Sequence, residues 1–408
     1  MVSIHVSKAG GYCAIPRRAL VLPRARPFRH WETSLRKSTL LVLLLSSVAC
    51  AGDGAGGAPI VIGLAGPFSQ PRGMAMRQAA ELAIREINAR GGVRPNGRGS
   101  GRELALRIVD DSGRADAAIR VATVLANDPT VVAVIGHLTS GTSLAAARVY
   151  GEGRRPVTMI SPSASSPDLS GVNPYVFRVC PTDLSHGAQL ARFALRQLGA
   201  RRAGLIYIDD DYGRGLRQSF AAEFRQLGGD LISEDPALGT TRTLEPYLAR
   251  LRQRGGIDVL VLATERGGAE LALREMTRLG LRWPVLGGDA LTGIEVEGVR
   301  LSSAYLPDKP GERNAAFVAA YGRANEGRLP DHRGAGSYDI VYLLARVLEA
   351  GGTDRATIRD HLARVGRDRP AYEGVTGAIA FDERGDVPAK PVVIGTVRDG
   401  RLVTDASQ

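Results

Sequence analysis

The chain has 408 residues, enough for two or three ordinary domains, and its 44% apolar and 23% charged residues exclude a disordered chain. The formal net charge of +11 is unevenly distributed, because eight of the 53 Lys and Arg residues but only one of the 42 Asp and Glu residues lie in residues 1–50. The net charge of +4 that remains for residues 51–408 gives no reason to expect nucleic acid as a partner.

Residues 1–50 have the pattern of a secretory signal peptide. The basic pair Arg36-Lys37 precedes a short apolar run at residues 40–45, and small residues follow the run up to Cys50. A membrane-spanning helix needs about 20 apolar residues, so this run is too short to be one. Residues 1–30 are too long and irregular for the basic segment of such a peptide, which indicates that translation begins downstream of Met1. We therefore expect the protein to be exported.

The signal peptide ends in a segment that resembles a bacterial lipobox, Ser47-Val48-Ala49-Cys50, in which the cysteine becomes the lipidated first residue of the mature protein. Lipoboxes usually have Leu where Ser47 stands. We expect a lipid on Cys50 to anchor the protein to a membrane, in the periplasm or at the cell surface, with residues 51–57 as a flexible Gly-rich tether. The alternative is ordinary cleavage after an alanine and release of a soluble protein.

Residues 51–408 carry no recognisable catalytic or metal-binding motif. The patterns His-Glu-x-x-His, Cys-x-x-Cys and Gly-x-Ser-x-Gly are absent, and the histidines at positions 137, 186, 332 and 361 are dispersed. Cys180 is the one cysteine of this region, and we expect it to be buried as a small hydrophobic residue. The acidic run at residues 209–211 is interpreted as a solvated loop in preference to a cation site. We expect no catalytic residue, no metal and no cofactor.

Short apolar runs alternate with helical periodicity over most of the chain. The apolar runs predict strands at residues 59–64, 104–109, 131–135, 157–160, 203–208, 258–263 and 284–286, with closing strands at 377–381, 392–397 and 402–403. The periodic segments predict helices near residues 76–87, 114–126, 141–150, 213–227, 268–279, 312–326, 334–350 and 355–364. This alternation predicts an α/β fold of parallel sheets flanked by helices, in two blocks at about 59–182 and 183–306.

The loops that follow the predicted strands are the expected place for a functional site, because ligands of open parallel sheets bind beyond the carboxyl ends of the strands. These loops span residues 66–70, 137–143, 161–166, 209–213, 264–266 and 287–290. Loop 137–143 precedes a predicted helix, so it offers backbone N–H groups and the positive end of a helix dipole to an anion. A carboxylate such as that of Asp289, if it is desolvated in a cleft, needs a cationic partner.

A set of short motifs runs in a fixed order over residues 58–404. Its members are Gly63-Leu64-Ala65-Gly66-Pro67, Ile87-Asn88-Ala89-Arg90-Gly91-Gly92, Val109-Asp110-Asp111, Val134-Ile135-Gly136-His137, Met159-Ile160-Ser161-Pro162-Ser163-Ala164, Asp211-Tyr212-Gly213-Arg214-Gly215 and Phe381-Asp382-Glu383-Arg384-Gly385-Asp386. Each motif is weak alone, but the ordered set resembles a type I periplasmic binding protein of the leucine/isoleucine/valine-binding family. Members of this family are the solute receptors of ABC importers for branched-chain and related amino acids.

The resemblance implies a set of ligand contacts. It assigns the ligand α-carboxylate to Ser140, the ligand ammonium to Asp289 and a covering role to Tyr212. It adds wall residues on two polar loops, which are Leu138 and Thr139 on the first loop and Ser163, Ala164 and Ser165 on the second. The alternatives are helix capping for Ser140 and Ser165, a turn contact for Asp289 and a half-buried aromatic position for Tyr212.

The chain departs from the family at two cleft positions. Thr264-Glu265-Arg266 stands where branched-chain amino-acid binders tend to carry aromatic residues, and Arg72 stands where a tyrosine is often found. We therefore include Glu265 and Arg72 among the ligand-binding residues and expect a cleft more polar than leucine favours. The alternative is that these charged side chains face solvent or pair with each other. The identity of the ligand stays open.

The resemblance implies a type I periplasmic binding protein fold, with two Rossmann-like lobes joined by a hinge of three chain crossings. We expect residues 58–182 and 307–382 to form lobe 1, and residues 183–306 and 383–404 to form lobe 2. The implied function is that of an ABC importer's solute-binding protein, a monomer that captures an amino acid or related solute by hinge closure and delivers it to permease subunits. A receptor that reports to a membrane signalling protein is the alternative. A DNA-binding repressor and a hydrolase are disfavoured, because neither a helix-turn-helix pattern nor a nucleophile–base pair is found.

Overall fold

The computed structural model describes residues 57–407. The predicted signal peptide, the lipid attachment site Cys50 and residues 51–56 of the predicted tether lie outside the described residues. Within them, no helix is both long enough and apolar enough to cross a membrane.

The first sheet is a five-stranded parallel sheet in the order β2-β1-β3-β4-β5. Its strands are β1 (Ile60–Gly66), β2 (Leu104–Asp110), β3 (Val131–Ile135), β4 (Thr158–Ser161) and β5 (Val176–Arg178), and the helices between them are α1 (Pro71–Ala89), α2 (Ala115–Asn127) and α3 (Ser140–Glu152). Strands β3 and β4 are buried along their whole length, as expected for strands covered by helices on both faces.

The second sheet has seven strands in the order β14-β13-β10-β9-β8-β6-β7. Its first part contains α4 (Asp183–Arg196), β6 (Arg202–Ile208), α5 (Asp211–Gln226), β7 (Asp230–Ala237), α6 (Glu245–Gln253), β8 (Val259–Ala263), α7 (Arg266–Arg278), β9 (Val285–Gly287) and β10 (Arg300–Ser303). The neighbouring strands from β7 to β10 pair in parallel. The sequence did not predict β5, β7, α6 or β10.

The last hundred residues add helices beside the first sheet and two strands to the second sheet. They contain α8 (Glu312–Ala324), α9 (His332–Gly351), α10 (Arg355–Ala363), the antiparallel hairpin β11 (Tyr372–Gly374) and β12 (Gly377–Ile379), and the strands β13 (Val393–Arg398) and β14 (Arg401–Thr404). Helix α9 packs on α1 and against the first sheet, whereas β13 and β14 extend the second sheet in antiparallel fashion.

The chain therefore passes between the two sheets three times, after β5, after β10 and after β12. Separate apolar clusters cover the two faces of each sheet, so each sheet has its own core. This is the architecture of two α/β lobes with parallel sheets flanked by helices, as the sequence predicted. We keep the predicted residue bounds of lobe 1 and lobe 2 as a proposal.

Candidate functional site

A cavity of about 210 Å³ lies where the carboxyl ends of strands from both sheets face each other. Nine of the ten predicted ligand-binding residues line it: Arg72, Leu138, Thr139, Ser140, Ser163, Ser165, Tyr212, Glu265 and Asp289. The seven other lining residues are Gly113, Ala115, Gly141, Thr142, Asp210, Ala290 and Arg333. The loops that the sequence placed after separate strands thus converge on one space.

The N-terminus of α3 forms one wall of the cavity. Thr139 is its N-cap, and its Oγ1 accepts a hydrogen bond from the Thr142 N–H at 3.3 Å while the Thr142 hydroxyl accepts one from the Thr139 N–H at 3.3 Å. The first N–H groups of the helix, at Ser140 and Gly141, have no intrahelical acceptor. Ser140 Oγ accepts from the Ser166 N–H at 3.1 Å, so its own proton is free to be donated. This wall is suited to an anion.

The loop after β4 adds two more hydroxyl groups. Ser161 Oγ accepts from the backbone N–H groups of Ser163 and Ala164, which sets the turn of the loop, and Ser163 and Ser165 both line the cavity. Ala164 is the predicted residue that the structure does not bring to the wall. It is fully buried in the core, and its carbonyl oxygen accepts from the Arg178 guanidinium at 3.1 Å.

Tyr212 and Asp289 form the facing wall on the second sheet. The Tyr212 hydroxyl oxygen accepts from the Ala290 N–H at 3.4 Å, and a Cβ on Gly288 would lie 2.1 Å from this oxygen, so the turn before Asp289 fits only with glycine there. Burial raises the pKa of Tyr212 well above its ordinary value, so the phenol stays protonated and can donate a hydrogen bond. The side chain of Asp289 is 4% exposed and opens a short 3₁₀ turn, Asp289–Leu291.

The start of α9 contributes two residues that the sequence did not assign to the site. His332 Nε2 lies 3.5 Å from Asp289 Oδ2 and 3.2 Å from Ser163 Oγ, and its Nδ1 lies 3.3 Å from Thr292 Oγ1. Burial and the adjacent Arg333 lower the pKa of His332 to about 4, so this histidine is neutral at pH 7. It therefore does not neutralise the Asp289 carboxylate.

Arg333 is the second of these residues, and it is buried at the cavity wall. Its guanidinium donates to the Asp331 carboxylate at 3.0 Å and to the Asp289 carbonyl oxygen at 3.4 Å. Asp331 also caps α9 by accepting from the Gly334 N–H at 2.9 Å. The charge of Arg333 is thus compensated by Asp331, which lies two residues earlier in the chain.

Arg72 and Glu265 form an ion pair across the cavity, from α1 beside the first sheet to the N-cap of α7 beside the second. Arg72 Nε also donates to Gln70 Oε1 at 2.9 Å. Gly73 places this first turn of α1, because a Cβ there would lie 2.1 Å from the Pro67 carbonyl oxygen. The two side chains therefore pair with each other, as the alternative interpretation has it, and both line the cavity, while their contact with a ligand stays a prediction.

Other residues that the sequence singled out lie elsewhere. His137 is fully buried away from the cavity wall, with Nδ1 2.6 Å from Asp111 Oδ2 and Nε2 3.1 Å from the Tyr150 hydroxyl. Cys180 is buried, as predicted, and burial raises the pKa of its thiol to about 12. Over residues 57–407, no group of three or more His, Cys, Asp or Glu side chains could hold a metal ion.

Comparison with known proteins identifies relatives over almost all of the described chain. The sequence profile of the periplasmic binding protein family matches residues 59–401. The Leu/Ile/Val-binding protein homolog 1 of Brucella abortus is 26% identical over 86% of this chain and 94% of its own length. The Leu/Ile/Val-binding protein of Citrobacter freundii is 27% identical over 85% of this chain and 91% of its own length.

Solved structures agree with these relatives. An ABC transporter substrate-binding protein from Desulfitobacterium hafniense, in complex with Leu, is 33% identical and superposes with a TM-score of 0.73 over 85% of this chain and 100% of its own. A leucine-binding protein from Thermotoga maritima is 25% identical, with a TM-score of 0.76 over 85% of this chain and 98% of its own. These relatives favour transport over a signalling receptor.

Proposed function

Because this chain belongs to the periplasmic binding protein family, we propose that its cavity captures an α-amino acid and that closure of the two lobes presents the amino acid to an ABC permease. The family consists of exported solute-binding proteins and not of enzymes. This chain accordingly functions as an ABC transporter substrate-binding protein. The observation that carries the proposal is the pairing of a helix N-terminus on one lobe with a buried carboxylate on the other.

The two walls complement the two charges of an amino acid. The N–H groups at the start of α3 and the Ser140 hydroxyl can donate to the α-carboxylate, with Thr139, Ser163 and Ser165 as additional hydroxyl groups. Asp289 is the acceptor for the α-ammonium group. Its carboxylate faces a neutral histidine, so an incoming cation supplies the charge that burial requires.

Closure of the lobes follows from contacts that only their approach can make. Asp289 contacts His332 and Arg333 from the other lobe, and Glu265 pairs with Arg72 in the same way. A ligand that touches Ser140 on one lobe and Asp289 on the other gains its full set of contacts only in this closed arrangement. Binding therefore shifts the population towards the closed form, which a permease can distinguish from the open one.

The relatives support an amino acid as the ligand class, since two of them are named for leucine or for leucine, isoleucine and valine, and a third is a complex with Leu. The cavity wall of this chain is more polar than a leucine side chain needs. Leu138 and Tyr212 are the large apolar or aromatic side chains among its lining residues. We therefore propose an α-amino acid as the ligand, and the relatives do not determine which side chain it carries.

A panel of α-amino acids, together with two truncated analogues of L-leucine, tests the proposal by thermal unfolding of the purified protein. L-Leucine carries both charges, isoamylamine lacks the carboxylate and 4-methylpentanoate lacks the ammonium group. A specific ligand at about 100 times its dissociation constant should stabilise the protein by about 2.7 kcal/mol. We expect stabilisation by α-amino acids and none by the two truncated compounds. Equal stabilisation by 4-methylpentanoate would contradict the role of Asp289. If no α-amino acid stabilises the protein, the proposed ligand class is wrong.

The cellular setting is part of the same proposal. We propose that Cys50 is lipidated and anchors the exported protein, that the mature protein is a monomer, that it has no catalytic activity, and that permease subunits of an ABC importer are its partners. Metabolic labelling with a fatty acid tests the anchor. We expect label on the wild-type protein and none on Cys50→Ser, whereas label on neither protein would indicate ordinary cleavage and release. Light scattering of the purified protein tests the monomer.

A further inference from the structure

The acidic run Asp209-Asp210-Asp211 after β6 is not uniform in the structure. Arg214 pairs with both outer carboxylates, with Nη1 3.0 Å from Asp209 Oδ1 and Nη2 2.8 Å from Asp211 Oδ1. The middle residue, Asp210, is half-buried and lines the ligand cavity. Among the described residues no cationic side chain forms an ion pair with it, so Asp210 differs from its two neighbours in both position and partner.

Asp210 has one local role, which leaves most of its carboxylate available. Its Oδ1 accepts from the Gly213 N–H at 2.8 Å and so caps α5. The two guanidinium groups of the cavity are already engaged by other carboxylates, Arg72 by Glu265 and Arg333 by Asp331. The amino-acid backbone uses the α3 terminus and Asp289 in the proposed function. Of the charged side chains that line the cavity, Asp210 is then the one with neither an ion-pair partner nor an assigned group of the ligand.

The surroundings of Asp210 penalise that charge. Burial raises the pKa of Asp210 above its ordinary value and the nearby carboxylates of Glu265 and Asp211 act in the same direction, whereas the backbone N–H groups of Gly213 and Tyr212 lower it by less than the sum of these effects. A half-buried carboxylate in such a position is stabilised by a cation that enters the cavity. A purely apolar side chain would instead leave Asp210 desolvated without a partner, and a site of this kind discriminates against ligands that lack the missing charge.

We propose that Asp210 receives a cationic group at the end of the ligand's side chain, so that the protein selects basic α-amino acids over apolar ones. This inference rests on the proposed function, because it presupposes that the α-carboxylate and α-ammonium groups occupy α3 and Asp289. It assigns ligand specificity to a residue that the sequence treated as part of a solvated loop.

L-Lysine and L-norleucine form a matched pair of probes, because they share the straight side chain and differ in the terminal ammonium group. Calorimetric titration of the wild-type protein should give a dissociation constant for L-lysine roughly 10- to 100-fold below that for L-norleucine, the range of a hydrogen bond to a charged group. In Asp210→Asn, which keeps a good N-cap for α5, L-lysine should lose this advantage while L-norleucine changes by less than about threefold.

Asp354→Asn is the matched control, because Asp354 caps α10 in the same way, by accepting from the Thr357 N–H, and does not line the cavity. It should leave both affinities unchanged. Equal or tighter binding of L-norleucine by the wild-type protein would overturn the inference and leave the proposed amino-acid function intact. The same holds if Asp210→Asn weakens both ligands alike. Failure of every α-amino acid to bind would overturn the proposed function as well.

Discussion

The cavity has two walls that are built in different ways. We call residues 138–142, 163 and 165 the hydroxyl wall, and we call Arg72, Asp210, Glu265, Asp289 and Arg333 the charged wall. The hydroxyl wall is held by hydrogen bonds between residues close in sequence, such as the Thr139–Thr142 capping box. The charged wall also contains a contact between distant parts of the chain, the Arg72–Glu265 ion pair, whose residues are 193 apart, whereas Arg333 pairs with nearby Asp331.

This difference indicates that the two walls bind different parts of the ligand. The hydroxyl wall lies on a single lobe, is pre-formed by local contacts and carries no side chain that titrates near neutral pH. It is suited to the carboxylate that all α-amino acids share. The charged wall is assembled only when the lobes approach each other, and its side chains compete with one another for counter-charges. It is therefore suited to recognising what differs between ligands and to sensing closure.

Asp289→Asn should weaken ligand binding more than any other substitution in the charged wall, because Asp289 is its most buried carboxylate. A buried ligand ammonium group would lose its counter-charge, which costs about 3–5 kcal/mol when one partner of a buried pair is removed. We expect calorimetric titration to show amino-acid affinity weakened by this amount. Asp209→Asn is the control, because Asp209 follows the carboxyl end of β6 in the second sheet but pairs with Arg214 and does not line the cavity. Unchanged affinity in Asp289→Asn would remove Asp289 from the site.

His332, which contacts Asp289 of the charged wall, should make the free energy of unfolding depend on pH. The pKa of His332 is lowered to about 4 in the folded protein, so between pH 6.5 and pH 4 the unfolded chain binds a proton that the folded protein does not. Stability from this group is fully present above pH 6.5 and falls as the pH is lowered through that window, by at most about 1.4 kcal/mol per pH unit.

His332→Asn should remove this slope. Urea unfolding at pH 7, 6 and 5 measures it in the mutant and in the wild-type protein, and the two curves should converge as the pH falls. His361→Gln is the comparison variant, because His361 on α10 lies away from the cavity and is partly exposed, although burial lowers its pKa as well. It should reduce the slope by less than His332→Asn does. Parallel curves for His332→Asn and the wild-type protein would show that His332 titrates normally.

Ser140→Ala tests the hydroxyl wall. The variant removes one donor to the ligand carboxylate but leaves the N–H groups of α3, so we expect calorimetric titration to show a loss of about 1–2 kcal/mol in binding. If the hydroxyl wall contacts only the α-carboxylate that all α-amino acids share, this loss of binding free energy should be the same for every α-amino acid that binds. Ser143→Ala is the control, since Ser143 donates to the His137 carbonyl oxygen at 3.1 Å and does not line the cavity. A loss that depends on the ligand side chain would contradict the division between the walls.

The sequence predicts the hydroxyl wall well because its physics is local. An apolar strand followed by small and hydroxyl residues at a helix start predicts both the loop and its anion-binding character, and the structure brings those residues together. Ala164 shows that consecutive residues of a loop cannot all be assigned to the cavity wall from the sequence. Ser163 and Ser165 line the cavity, and the alanine between them faces the core, as its apolar side chain favours.

The charged wall could be predicted only in part, since the family resemblance assigned Arg72, Glu265 and Asp289 to the site but not Asp210 or Arg333. His332 and Arg333 precede the helix predicted near residue 334, and only the packing of α9 against the second sheet's turn brings them to Asp289. Nothing in the run 209–211 distinguishes Asp210 until Arg214 is seen to engage its neighbours. Strand β7 was missed for a related reason, because it is an edge strand whose acidic residues hide its alternation.

The Arg72–Glu265 pair is the most exposed part of the charged wall, and its contribution should be the smallest. Its side chains are 23% and 44% exposed, so solvent screens the interaction. A double-mutant cycle with Arg72→Gln and Glu265→Gln should give a coupling free energy of about 0.5 kcal/mol in ligand affinity, and rising salt concentration should reduce it. The coupling belongs to the closed form because the partners lie on different lobes. A coupling seen equally in the unfolding of the ligand-free protein would show that the pair stabilises the lobes themselves, and closure would then depend on the contacts that Asp289 makes with His332 and Arg333.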